Sequence, residues 1–239
     1  MKIVKINKNI ANFVICINII AFKTTICNQN LLKLMFLEKN RCMNEFSFYI
    51  EDKYLYLSIA KALSKCVDSK AKNLVFVFVG SDCNIGDSLA PLCSALLNVS
   101  DSNVFIYGNL GELITAKEVP FMSKYLKYAH PDSIIIVIDA AIGKKWDIGR
   151  VKVQNFGIKP GLGVNKDLPM LGDVSIIGVV GEKGSFKSGS LPQIRLSTIY
   201  NMAKSIAKGI ETFLNERENR SGNFKAKILS ESADNQLIG

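Results

Sequence analysis

The chain is poor in the residues that most often carry metal or thiol chemistry. It has one histidine, His130, and six cysteines, at positions 16, 27, 42, 66, 83 and 93, none of them spaced as CxxC. That argues against a structural zinc site and fits reduced thiols in a cytoplasmic protein. Neither GxGxxG nor the GxxxxGK[ST] phosphate cradle occurs in its most prominent glycine loop, GSDCNIGDS, so the nucleotide readings are weak there. An unbroken apolar run of the ~20 residues that a spanning helix needs is also missing. The nearest approach, NIANFVICINIIAF at 9–22, is interrupted by Asn9, Asn12 and Asn18 and leads to no small-x-small cleavage site. No stable membrane insertion is expected. Internal repeats and low-complexity blocks are absent as well.

Acidic charge is scarce in one place only. The formal net charge is +9, but residues 1–42 hold seven Lys or Arg against the single acid Glu38, which is +6, and leave +3 for the remaining 197 residues. A body that is nearly balanced carries no nucleic-acid footprint. Residues 1–42 are therefore expected as a non-core extension or an over-long start, with a cleaved signal or interfacial anchor as the alternative. Hydrophobic side chains make up 48% of the chain, enough for one substantial core. The expected organisation is an extension over 1–42, one α/β domain over 43–215 and a flexible tail over 216–239.

Within the body, four apolar runs without alternation predict strands buried on both faces: NLVFVFV at 73–79, NVFIY at 103–107, SIIIVID at 133–139 and VSIIGVV at 174–180. Helices are expected between them, from Tyr54 to Val67, over 89–97 and over 119–129. A closing helix over 197–214 places Ile199, Met202, Ala203, Ile206, Ile210, Phe213 and Leu214 on one stripe. Such alternation predicts an α/β sandwich with a mainly parallel sheet.

The stretch FVFVGSDCNIGDSLAPLCSALL, Phe76 to Leu97, leaves a strand, places two aspartates in a glycine-bounded loop and re-enters an apolar helix. Pro91 is tolerated only in a first helical turn, so Ser88 is the expected N-cap, with Asp87 just outside the helix. Asp139 ends the SIIIVID run. Loops at the carboxyl ends of parallel strands form the ligand crevice of such sheets. Asp87 and Asp139 therefore emerge at the same edge, and neighbouring strands would bring them within interacting distance.

Two adjacent carboxyls cannot both ionise freely. A helix amino end favours charge on Asp87, which leaves Asp139, on a buried strand, as the protonated partner. That is a base for water and an acid for a leaving group, and peptide hydrolysis fits it. The plainer alternatives stay open: an aspartate before a helix is often a cap or turn former, and one ending a strand often only bonds loop amides.

Taken in order, GSDCNIGDSLAPL, IIIVIDAAIG and IKPGLGVNKDLPMLGDVSIIGVVG resemble the spore protein family called YyaC, related to the germination protease of spore-forming bacteria. The resemblance runs from about residue 53 to about residue 213. It implies a three-layer, phosphorylase/hydrolase-like α/β fold shared with hydrogenase maturation peptidases. The germination protease has two aspartates proposed as catalytic, in a D-x-L-G-P segment and at the end of an IxIDA strand. Asp87 in DSLAP matches the first, with Ala90 where that family has glycine, and Asp139 in VIDAA matches the second. The resemblance implies small spore proteins as substrates, in the sporulating cell or spore. Hydrogenase maturation peptidases read nickel with an additional histidine, whereas His130 precedes its strand, at the opposite edge. No metal and no cofactor are assigned.

The remaining candidates are contacts to a protein or peptide substrate. Asp82 and Asn84 flank Cys83 in the key loop. Lys159, Gly161, Gly163 and Asn165 belong to GIKPGLGVN, which either lines the crevice with backbone amides or is simply an ordered loop. A Cys83–His130 nucleophile pair is disfavoured, because the two belong to opposite edges. The rival to a peptidase is a non-enzymatic sporulation protein binding a peptide or small ligand in the same crevice. The sequence leaves a homo-oligomer open.

Overall fold

The computed structural model describes residues 43–159, 169–182 and 194–234. The N-terminal extension, Gly161, Gly163 and Asn165 lie outside the described residues. The elements are β1 (Glu45–Tyr49), α1 (Leu55–Cys66), β2 (Asn73–Phe78), α2 (Leu89–Leu96), β3 (Val104–Tyr107), α3 (Val119–Ala129), β4 (Ser133–Gly143), a 3-10 turn (Lys145–Asp147), β5 (Arg150–Gln154), β6 (Val174–Glu182) and α4 (Leu196–Asp234). They belong to one unit, Asn44–Gly239.

The four expected strands form the parallel part of a six-stranded sheet ordered β1-β5-β6-β4-β2-β3. β5 and β1 extend it antiparallel beyond β6, so the sheet is mixed. These two strands were not expected. In RVKVQ, charged and polar residues alternate with two valines, and β1 alternates between exposed and half-buried residues. That is the period of a strand with one open face, not of a run buried on both.

Period two also sorts the central strands. Leu74, Phe76, Phe78, Ile136 and Ile138 join α1, α2 and α4 in one hydrophobic cluster. Val75, Val77, Val79 and Val137 turn to the other face and meet Val119, Met122 and Leu126 of α3, with Ile114 and Leu171. The stripe expected on α4 is buried throughout. On α1 the buried set is Leu55, Ile59, Ala60, Ala62, Leu63 and Cys66, whereas Tyr54 and Leu57, expected inside, are exposed. The backbone of α4 runs helical to Asp234, through residues expected as a tail. No proline interrupts that stretch, which is rich in Glu, Lys, Arg and Ala.

One expected boundary is corrected. β4 does not end at Asp139 but continues to Gly143, because Ala140 and Ala141 keep pairing with Gly178 and Val179 before the register shifts at Ala141/Ile142.

Candidate active site

The loop after β2 is drawn shut by glycine. Ser81 donates its amide N–H to the Asp87 carbonyl at 3.1 Å, and a Cβ on Gly80 would lie 2.2 Å from that same oxygen. Only glycine allows the two ends of the loop to meet this closely. At its far end Ser88 occupies the N-cap position of α2 and its carbonyl accepts from Leu92. Pro91 therefore falls in the first turn and costs no helical bond. The Ser88 hydroxyl does not cap the helix, however. It donates backwards to the Ile85 carbonyl at 2.7 Å, because Ser88 itself has helical φ and ψ, whereas a capping side chain needs an extended residue.

Asp139 sits beside this loop. Val79, one step past β2, donates to the carbonyl of Ile138 at 2.9 Å, so the chain leaves β2 level with Asp139. Both carboxyls are half-buried. Burial pushes Asp139 well above the usual carboxylate range, and the Asp87 charge pushes it further, while the Ala140 amide, donating to Oδ1 at 2.8 Å, pulls the other way. Asp87 is also raised, by burial, against an opposing bond from the Ser81 amide. The Asp87 charge thus bears on Asp139, and Asp139 is the more strongly raised of the two. The expectation that the helix end would favour the charged form of Asp87 is corrected in direction: desolvation outweighs it.

The other candidates are placed as follows. Asp82 and Asn84 are exposed on the loop. Asp82 Oδ1 lies 3.8 Å from Cys83 Sγ, and the Asn84 carbonyl accepts the Ser88 N–H at 3.0 Å. Lys159 directly follows Ile158, which pairs with Leu171 ahead of β6. Gly172, next in that segment, packs on Val137 and the Ile135 carbonyl. Lys159 thus follows a tether that holds Ile158 ahead of β6.

His130 caps α3, with Nε2 2.7 Å from the Tyr107 hydroxyl and its ring against Phe105. It has no part in the site. Among the described residues no three His, Cys, Asp or Glu side chains gather as a metal-ligand group, and no helix is long and apolar enough to cross a membrane.

Sequence reasoning missed the polar face next to Asp139. Lys152 Nζ lies 3.3 Å from Glu45 and 3.9 Å from Asp147, and Arg150 Nε lies 3.6 Å from Asp147. Gln154 bonds Glu45 at 2.6 Å and Ser175 at 3.1 Å. The alternation in Arg150-Val151-Lys152-Val153-Gln154 was the signal that could have revealed it.

The fold is α/β with a mixed six-stranded sheet, and it sets Asp87, in the loop preceding α2, and Asp139, in β4, where the charge of the first raises the pKa of the second. Residues 47–209 match a family model described as "Protein of unknown function (DUF1256)", and the chain belongs to that family. It is similar to a Bacillus subtilis (strain 168) protein named "Uncharacterized protein YyaC", 33% identical over 140 residues that span 58% of this chain and 68% of the relative.

Proposed function

We propose that this protein is a sporulation-associated peptidase in which Asp87 is the base and Asp139 the acid. The observation that supports it is the influence of Asp87 on Asp139, whose carboxyl is raised well above the usual range by burial and then by the Asp87 charge. Ionised Asp87 takes a proton from a water whose oxygen bonds to the scissile carbonyl carbon. Asp139 gives its proton to the departing nitrogen as the C–N bond breaks. Asp87 ends protonated and Asp139 ionised, and exchange with solvent restores both.

The finer fold, a three-layer sandwich of the phosphorylase/hydrolase kind over 43–215, belongs to the same proposal. It is supported by the two hydrophobic clusters on opposite faces of the sheet. The proposed substrates are small spore proteins, in the cytoplasm of the sporulating cell or spore, as the resemblance to the germination protease implies.

The test is peptide release from a pool of small spore proteins, read by mass spectrometry, with wild type, Asp87→Asn and Asp139→Asn. Asparagine keeps the shape and removes the titrating group. Site-specific cleavage lost in both variants supports the peptidase. Equal absence of cleavage in all three folded proteins overturns it and favours a crevice that only binds.

A further inference from the structure

We infer that Ile177 is the specificity-determining contact of this site: the substrate peptide follows the partly exposed row that runs across β4, β6 and β5 from Asp139 to Lys152, and the side chain flanking the cleaved bond rests on Ile177. The inference rests on the peptidase reading for its cleaved bond, but the contact itself can be tested by binding alone.

Register carries the first step. Asp139 pairs with Ile177 across β4 and β6, and Ile177 pairs with Lys152 across β6 and β5. Paired residues project from the same face, which makes Asp139, Ile177 and Lys152 one cross-strand row. The neighbours confirm the parity. Ser175, two residues before Ile177, bonds Gln154 of β5 on this face, whereas a Cβ on Gly178 would meet Leu89 and Met202 on the other. With strands about 4.8 Å apart, Ile177 lies one spacing from Asp139 and Lys152 about 10 Å away.

Burial carries the second. From Val174 to Gly181 every residue of β6 is buried except Ile177. β6 is flanked by strands on both sides, so this opening is through the face and not along an edge. Towards the amino edge Gly172 packs over Val137, and towards the carboxyl edge Asp147 lies against Gly143. A partly exposed isoleucine inside a central strand, one strand from Asp139, is an apolar seat beside the reacting groups.

The chemistry of the occupant follows. Next to the cleaved bond the seat favours a branched or straight apolar side chain. At the far end Lys152 is already shared by Glu45 and Asp147, a balanced group that asks for no charged residue about three positions along the peptide.

Trp146, the single tryptophan of the chain, is exposed in the turn that also carries Asp147 and reports occupancy by fluorescence. The probe is a set of tryptophan-free acetylated hexapeptides that differ only in one central residue, Leu, Ala or Asp, titrated into Asp139→Asn to prevent turnover. Preference for Leu over Asp by roughly tenfold or more, flattened in Asp139→Asn/Ile177→Ser and moved towards Ala in Asp139→Asn/Ile177→Phe, supports the inference. An unchanged preference in both double variants overturns it, as does absence of binding by the folded protein. If wild type cleaves nothing while this preference and its loss persist, the peptidase reading fails and the Ile177 contact stands.

Discussion

The two halves of the sheet treat their faces differently. Across β3, β2 and β4, alternate residues enter two separate apolar clusters, and Phe76, Phe78, Val75 and Val77 are all inaccessible to solvent. Across β6, β5 and β1, one face is apolar through Val151, Val153 and Ile176, while the other carries Lys152 and Gln154 on Glu45, Ser175 on Gln154 and Arg150 on Ser47. Asp139 stands on the seam. The dry side contributes desolvation to Asp139, while on the other side Asp139, Ile177 and Lys152 stay partly exposed. Neither half alone would give an acid that is both perturbed and reachable.

The comparison breaks most visibly in the core. Phe76→Ala removes a fully buried ring from the dry half and is expected to lower stability by about 3–5 kcal/mol. Ser47→Ala, on the polar face of β1 where Ser47 accepts from Arg150, is expected to stay within about 0.5 kcal/mol. Urea unfolding of both variants measures the contrast, and similar losses would mean the halves are not energetically distinct.

The seam itself gives a smaller effect with a functional consequence. A Cβ at position 178 would fall 2.1 Å from Leu89 Cδ2 and 2.6 Å from Met202 Sδ. Gly178→Ala should cost about 1–3 kcal/mol and displace the first turn of α2. Leu89 is two residues from Asp87, so peptide cleavage should fall by more than the loss of folded protein explains. Full specific activity per folded molecule would show that Asp87 is placed independently of that packing.

Much of the dry half was legible in the sequence, and much of the polar half was not, for one physical reason. A strand buried on both faces writes itself as a continuous apolar run, as in NLVFVF, and its boundaries follow. A short edge strand with one wet face, such as EFSFY or RVKVQ, offers five residues of weak alternation that a loop can equally show. Asp87 and Asp139 were singled out because the first follows a legible strand and the second lies in one. The face beyond Asp139 became visible only when β5 and β6 set the register, and the Ile158–Leu171 bridge has no local signature in the sequence.

Titration sharpens the contrast further. Both acids are raised in the folded protein, Asp139 by burial and then by the Asp87 charge. Between the ordinary carboxylate value, about 3.9, and the raised folded values, the native state holds more protons than the unfolded chain. Stability therefore falls as pH rises through that window and is level above it. Asp139→Asn removes the larger part of this slope, so the variant should be more stable than wild type at neutral pH and indistinguishable below about pH 4. Urea midpoints across pH give the test, and parallel profiles would place Asp139 in a solvated setting.

The smallest effect tests whether the second face is truly open. Lys152 and Glu45 are both partly exposed, 3.3 Å apart, and a pair in contact with water is worth about 0.2–1 kcal/mol. A double-mutant cycle with Lys152→Met and Glu45→Gln should return a coupling in that range that shrinks in about 1 M salt, where screening acts over about 3 Å. A coupling of several kcal/mol that salt leaves untouched is the signature of a buried pair. It would mean that this face is covered in solution, and with it the seat at Ile177, which shares its row with Lys152.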